Sequence, residues 1–243
     1  MIMRGKNLRG DVTERSTLVI YESLKKRMID GYYTPGKKFN QSEIAKEFGV
    51  SRTPVIKALS ILEADGLVDN IPQKGYYVHE FSVRDLYELY SLKVALEFAI
   101  VEDVIQYSSK DDIQELREIF MPFSQETDIN AVEYQKADME FHSQLIRLSQ
   151  NNLIIHMYET NQLGFRNYQS GLFRSPKETL PEHFAIINSI EQGDTEQAKV
   201  LVYEHTEITR KKIGKFMDNL LEMDINPAQF SKQGMKNKFL YVF

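Results

Sequence analysis

The sequence predicts a mainly α protein in two parts: an N-terminal winged helix-turn-helix with a small β-hairpin wing, then an all-α C-terminal helical bundle. Three observations predict it. Phe39–Leu62 reads FNQSEIAKEFGVSRTPVIKALSIL, two short amphipathic segments about a turn at Phe48 and Gly49. Gly66 to Val78 then reads as two β-rich runs joined by a turn from Asn70 to Gly75. From about residue 84 to residue 224 the apolar period stays helical, with no strand-like alternation and no internal repeat.

Residues 1–15 are polar and charged without a period and read as a flexible arm. Across Ser16–Asp30 the apolar positions Val19, Ile20, Leu24, Met28 and Ile29 fit an amphipathic helix, with Gly31 as its stop and Pro35-Gly36 as the next turn. Asn40 can cap the following helix, with Glu43 placed to reach back. Ser51 is an N-cap type for the one after it, and Pro54 falls in its first turn, where a missing N–H does no harm. Ile44, Ala45, Phe48, Val50, Val55, Leu59 and Leu62 form one inner seam, leaving Arg52, Thr53, Ile56, Lys57 and Ser60 outward. A helix pair alone could be an ordinary hairpin in a larger core. The wing, with Lys74 at its tip, points instead to a unit that lays its second helix in a DNA major groove.

This first domain spans residues 16–79, and residues 80–84 form a linker. Ser82 with Asp85 is a capping signal for the second domain, residues 85–224. Six helices are expected there: about Arg84–Tyr107, Lys110–Met121, Asn130–Ser149, Asn151–Tyr168, Leu180–Glu191 and Asp194–Leu221. Pro122, Asn151-Asn152, Ser170–Ser175 and Gly193 supply the breaks. The tail, residues 225–243, contains Pro227 and Gly234 and ends in the apolar FLYVF, suited to docking on a partner or on its own bundle.

At 243 residues the chain can form two modest cores. Its net charge of −5 is divided unevenly: residues 1–79 carry 13 Lys plus Arg against 9 Asp plus Glu, and the remainder 17 against 26. The basic excess sits on the expected DNA reader, where phosphate contacts need it. Cysteine is absent, which excludes disulfides and thiolate metal sites and suits a reducing cytoplasm. No apolar run is long enough to cross a bilayer and the N-terminus lacks a signal-peptide core, so the expectation is a soluble cytoplasmic protein with no membrane partner.

Four polar residues stand on apolar helix faces. Asp138 and His142 are four apart, above Leu145 and Leu148 or Ser149. His183 shares the side of Ile186, Ile187 and Ile190, and His205 the stripe of Leu201, Val202 and Ile208. Each alone is more simply a satisfied core residue. Together, three imidazoles and a carboxylate pointing into one bundle form a metal-ligand set, because buried polar groups without partners are costly. His79 and His156 lack such company and read as structural.

The segments DGYYTPGKKFNQSEIAKEFGVSRTPVIKALSILEADGLV and QKGYYV resemble the N-terminal domain of GntR-family bacterial transcription regulators, almost without gaps from about Leu18 to Val78. DLYELYSLKVALE, DMEFHSQLIRLSQNNLI, EHFAIINSIEQGD and YEHTEI resemble the FCD ligand-binding domain of the FadR subgroup, from about Asp85 to Lys212. The resemblance implies that Asp138, His142, His183 and His205 hold a divalent transition metal, Zn, Ni, Mn or Fe. It implies a small carboxylate or hydroxy acid as effector at the open metal positions. Lys93 stands where the subgroup often has Arg, keeping the charge without the bidentate fork, and Arg166 can supply a fork from another side. On the reader, Ser42, Ser51, Arg52, Thr53, Ile56, Lys57, Lys74 and Gly75 map to DNA-contacting positions. Ser42 and Ile56 replace a common Arg, and losing Arg at Ile56 removes a possible guanine contact.

The function expected is a transcription regulator, a repressor acting as a homodimer on a palindromic double-stranded operator and released by its effector. The alternatives are a metal-dependent enzyme and a metal-only sensor using the same site. Against an enzyme, no obvious general base stands beside the four ligands, and the DNA reader would be idle.

Overall fold

The computed structural model describes residues 8–125, 128–170 and 174–229. The chain divides into two compact units, 1–80 and 81–243. In the first, α1 (Leu8–Ile29), α2 (Gln41–Glu47) and α3 (Arg52–Ala64) are followed by the antiparallel strands β1 (Val68–Ile71) and β2 (Gly75–Val78). Helix α1 packs on α3, and Ile20, Leu24, Val55, Leu59 and Leu62 on the two helices are each at most 1% exposed. Each such side chain contributes roughly 1.5–3 kcal/mol by leaving water. Part of the expected arm, from Leu8 onward, continues α1, and residues 1–7 lie outside the described residues.

Asn40 caps α2 as expected, its side chain accepting from the N–H groups of Ser42 and Glu43. Gly49 takes a φ of 64°, which a Cβ would strain, and turns the chain from α2 toward α3. Ser51 stands at the N-cap of α3 in extended conformation, but its hydroxyl makes no capping bond. The inner seam holds at Ile44, Ala45, Val55, Leu59 and Leu62, while Phe48 and Val50 are half-buried. Arg52, Thr53, Ile56, Lys57 and Ser60 are exposed. The wing pairs Val68 with Val78 and Ile71 with Gly75, and its turn places Gln73 at φ 64°.

The second unit is entirely helical among the described residues: α4 (Val83–Ala99), α5 (Val101–Tyr107), α6 (Lys110–Phe120), a 3-10 turn at Met121–Phe123, α7 (Ala131–Leu148), α8 (Asn152–Thr160), α9 (Leu163–Ser170), α10 (Pro176–Glu191) and α11 (Thr195–Glu222). Ser82 and Asp85 form the expected capping box. Phe81, within the expected linker, packs with Leu86, Tyr90, Ile213 and Phe216. The main core gathers Ile100, Val104, Leu116, Phe120, Phe141 and Ile187.

Three expected helices differ. The first breaks at Ile100, which joins α4 to α5 without Gly or Pro. The fourth breaks at Asn161-Gln162, where Gln162 takes a φ of 51°. The fifth begins earlier, because Ser175 caps it and Pro176 fits its first turn, leaving Pro181 inside. Ile208, expected on the inner stripe of α11, is 36% exposed. The buried stripe runs instead through Ala198, Val202, His205, Thr209 and Ile213. FLYVF lies outside the described residues.

Candidate DNA reader and metal centre

On the reader, the outward residues of α3 include Arg52 in its first turn. Its guanidinium Nη2 donates to Ser42 Oγ on α2 at 2.7 Å, so the serine orients the arginine. Ser42, Arg52, Lys74 and Gly75 line one cleft of about 460 Å³ between the two helices and the wing tip. Ser51, Thr53, Ile56 and Lys57 are exposed and do not line it. His79 Nδ1 lies 2.9 Å from Asp69 Oδ1 at the base of the wing.

In the bundle, α7 supplies Asp138 and His142, α10 supplies His183 and α11 supplies His205. One donor atom from each lies within 4.8 Å of the others. Asp138 Oδ1 is 3.3 Å from His183 Nε2 and 3.8 Å from His142 Nε2, and the Nε2 atoms of His142 and His205 are 3.3 Å apart. Bonds from imidazole nitrogen or carboxylate oxygen to a divalent ion are about 2.0–2.2 Å, so the donors of one ion lie within roughly 4.4 Å of one another. The cluster fits that span with a small inward movement.

The opposite ring nitrogens of His205 and His183 are hydrogen-bonded, and that of His142 lies in ion-pair range of a carboxylate. His142 Nδ1 is 3.0 Å from Glu97 Oε1, His205 Nδ1 is 2.7 Å from Glu182 Oε2, and His183 Nδ1 is 3.0 Å from the Tyr134 hydroxyl. Tyr134 in turn contacts Thr179 Oγ1 at 2.9 Å. A carboxylate only accepts, so the His205 proton sits on Nδ1 facing Glu182, whereas His142 Nδ1 makes no hydrogen bond among the described residues. The Nε2 atoms of His142 and His205 lie 3.3 Å apart, within hydrogen-bond range when His142 carries its proton on Nε2. His183 Nε2 makes no hydrogen bond within the described residues.

Burial lowers the basicity of all three imidazoles and keeps them neutral. For Asp138, burial opposes the charge, but His142, His183 and Lys93 outweigh it and hold the carboxyl well below its usual range. Glu97 is opposed by burial and held down to about 2 by His142 and Lys93. Glu182 is likewise opposed by burial and held to about 2, by His205 and Arg174. Lys93 offsets Glu97 and Arg174 offsets Glu182, so Asp138 leaves the cluster with one uncompensated negative charge.

Lys93 does not stand free for a ligand. It is 4% exposed and its Nζ is 2.6 Å from Glu97, so it supports the residue that holds His142. Arg166 is half-buried on α9, a helix that packs against α7 and α4.

The sequence profile of the bacterial regulatory proteins of the gntR family matches residues 17–78, and that of the FCD domain matches residues 88–207. The chain belongs to the GntR family. This GntR regulator is 29% identical over 197 residues to YdhC, an uncharacterized HTH-type transcriptional regulator of Bacillus subtilis (strain 168), covering 77% of this chain and 86% of that one. It is 27% identical to the Nta operon transcriptional regulator of Aminobacter aminovorans, covering 80% and 90%. A structure of a GntR transcriptional regulator from Rhodococcus sp. RHA1 superposes with a TM-score of 0.70 at 25% identity, covering 82% and 97%. The protein is thus a DNA-binding transcriptional regulator, not an enzyme. Among the described residues no helix is long and apolar enough to cross a membrane.

Sequence reasoning on this GntR regulator missed Glu97, Tyr134, Arg174 and Glu182, the partners behind the imidazoles. Glu97 carried a signal: it lies four residues after Lys93 on an otherwise apolar face of α4. Arg174 carried none. It precedes α10 and reaches Glu182 with two nitrogens at 2.6 and 2.7 Å.

Proposed function

We propose that this regulator represses transcription as a homodimer, that Asp138, His142, His183 and His205 hold a divalent transition metal, and that a small carboxylate-type metabolite bound there releases the operator. The observation that carries the reading is the convergence of the Asp138 carboxylate and three buried imidazole nitrogens, all within 4.8 Å of one another. The buried cluster holds one excess negative charge, and a cation offsets it. Tyr134, Glu97 and Glu182 hold the rings and aim the donors inward. When bound, a metal with open positions supplies a Lewis-acid anchor for a carboxylate or hydroxyl oxygen.

Arg166 is the cation we assign to the effector's carboxylate, from its place on the helix packed against α7 and α4. Lys93 acts on the centre through Glu97. Homodimerisation follows from reader size, since a paired set of half-sites multiplies the affinity of one small unit.

The test is a thermal-shift screen of small carboxylic and sugar acids on metal-loaded and chelator-stripped protein, followed by operator binding with each hit. An acid that raises the melting temperature only when metal is present, and weakens operator binding, supports the reading. Metal-dependent melting with no acid hit favours a metal-only sensor. Melting indifferent to metal refutes the four-ligand centre.

A further inference from the structure

The cleft between the wing and α2 contains a cation outside the set of reader residues read from the sequence. Lys38 lies on the extended segment before α2, bridged to Tyr77 of β2, and the next residue fixes that segment through a bond from Phe39 N–H to Tyr76 O at 2.9 Å. Its stem runs past the wing tip. A Cβ built on Gly75 would lie 3.7 Å from Lys38 Cε, an ordinary contact. Lys38, Arg52 and Lys74 therefore border the same cleft of about 460 Å³, together with polar Asn40, Gln41 and Ser42, and none of the residues lining it is acidic.

Three cations around one open cleft without a carboxylate repel one another until an anion enters. Each is placed by its own neighbours. Arg52 is turned toward Ser42 at the start of α3, and Lys74 rides on the wing turn. Lys38 sits on backbone pinned to the wing, with its Cε beside Gly75 and its ammonium 5.7 Å from the centroid of the Tyr77 ring. We propose that Lys38 is a further DNA-contacting residue, one that neutralises a backbone phosphate of the operator at the wing tip. Such a contact positions the reader and carries no base information.

The experiment is a titration of full-length protein with two fluorescent duplexes, one selected from a random library by the wild-type chain and one scrambled, from 50 to 200 mM KCl. Each phosphate contact contributes about 0.9 to the slope of log affinity against log salt, equivalent to about an eightfold loss per contact at 0.1 M salt. K38Q is expected to lower the slope by about 0.9 per reader bound and to weaken both duplexes by the same factor. K38R restores slope and affinity, and K110Q, which removes a lysine from α6 in the other unit, leaves both unchanged. An unchanged slope in K38Q overturns the assignment. So does a loss confined to the selected duplex, which signals base readout, and so does a K38R that stays as weak as K38Q, which signals lost folding rather than lost charge.

Discussion

Replacing Glu97 with Gln removes one charge from the middle of the second unit and leaves the shape. Glu97 is 1% exposed, 2.6 Å from Lys93 Nζ and 3.0 Å from His142 Nδ1. At an effective dielectric constant near 20, opposite charges 2.6 Å apart attract by roughly 6 kcal/mol, most of it offset by the water both groups gave up on burial. The amide keeps an acceptor for His142 but strands the Lys93 ammonium, and breaking a buried pair from one side costs about 3–5 kcal/mol. Urea unfolding of chelated protein is expected to show that loss. The double variant K93M/E97L, which replaces both charges with apolar groups, is expected to recover most of it. A second consequence is separable. With His142 less firmly oriented, metal affinity in competition with a fluorescent chelator falls 10–100-fold in both variants. A single variant that loses under about 1 kcal/mol, or a double variant as unstable as the single, would refute the account of the pair.

Arg52→Gln is expected to cost about 1–3 kcal/mol on a selected duplex and to relax preference at one base pair, measured by repeating the selection with the variant; an unchanged preference would remove Arg52 from base readout. Leu59→Ala opens a cavity at a side chain that is 0% exposed, so the first unit should lose about 2–5 kcal/mol and operator binding should fail on warming, while the second unit melts as before. Acid should destabilise the chelated protein. Burial holds the pKa values of His142, His183 and His205 below the ordinary value near 6.5, so under that pH the unfolded chain binds more protons than the folded one. Stability is present in full above that value and declines as pH falls toward the folded values, by up to about 1.4 kcal/mol per pH unit for each imidazole. Urea midpoints equal at pH 7.5 and 5.5 would contradict neutral buried imidazoles.

Much of this was legible along the chain because it rests on short-range signals. Asn40, Gly49, Ser82 and Asp85 act within a few residues, and the i, i+4 spacing put Asp138 and His142 on one face. His183 and His205 could be placed by the apolar residues around them. What stayed hidden depends on distant neighbours. Ile100 ends α4 without a breaker, Gln162 turns left-handed without being glycine, and Ile208 faces out although it continues an apolar pattern. Tertiary packing decides such positions, and local preference does not report it. The partners behind the imidazoles were missed for the same reason, since Tyr134 and Glu182 are defined by what they meet across helices.

The four inward donors come from α7, α10 and α11, and none lies on α8 or α9. The chain between His142 and His183 thus carries two helices that pack against α7 without supplying a donor to the group. Substitutions along α8 and α9 can therefore alter the packing on α7 without removing any of the four groups. In a lineage of such regulators, the helices that carry these groups and the helices that do not can change at different rates.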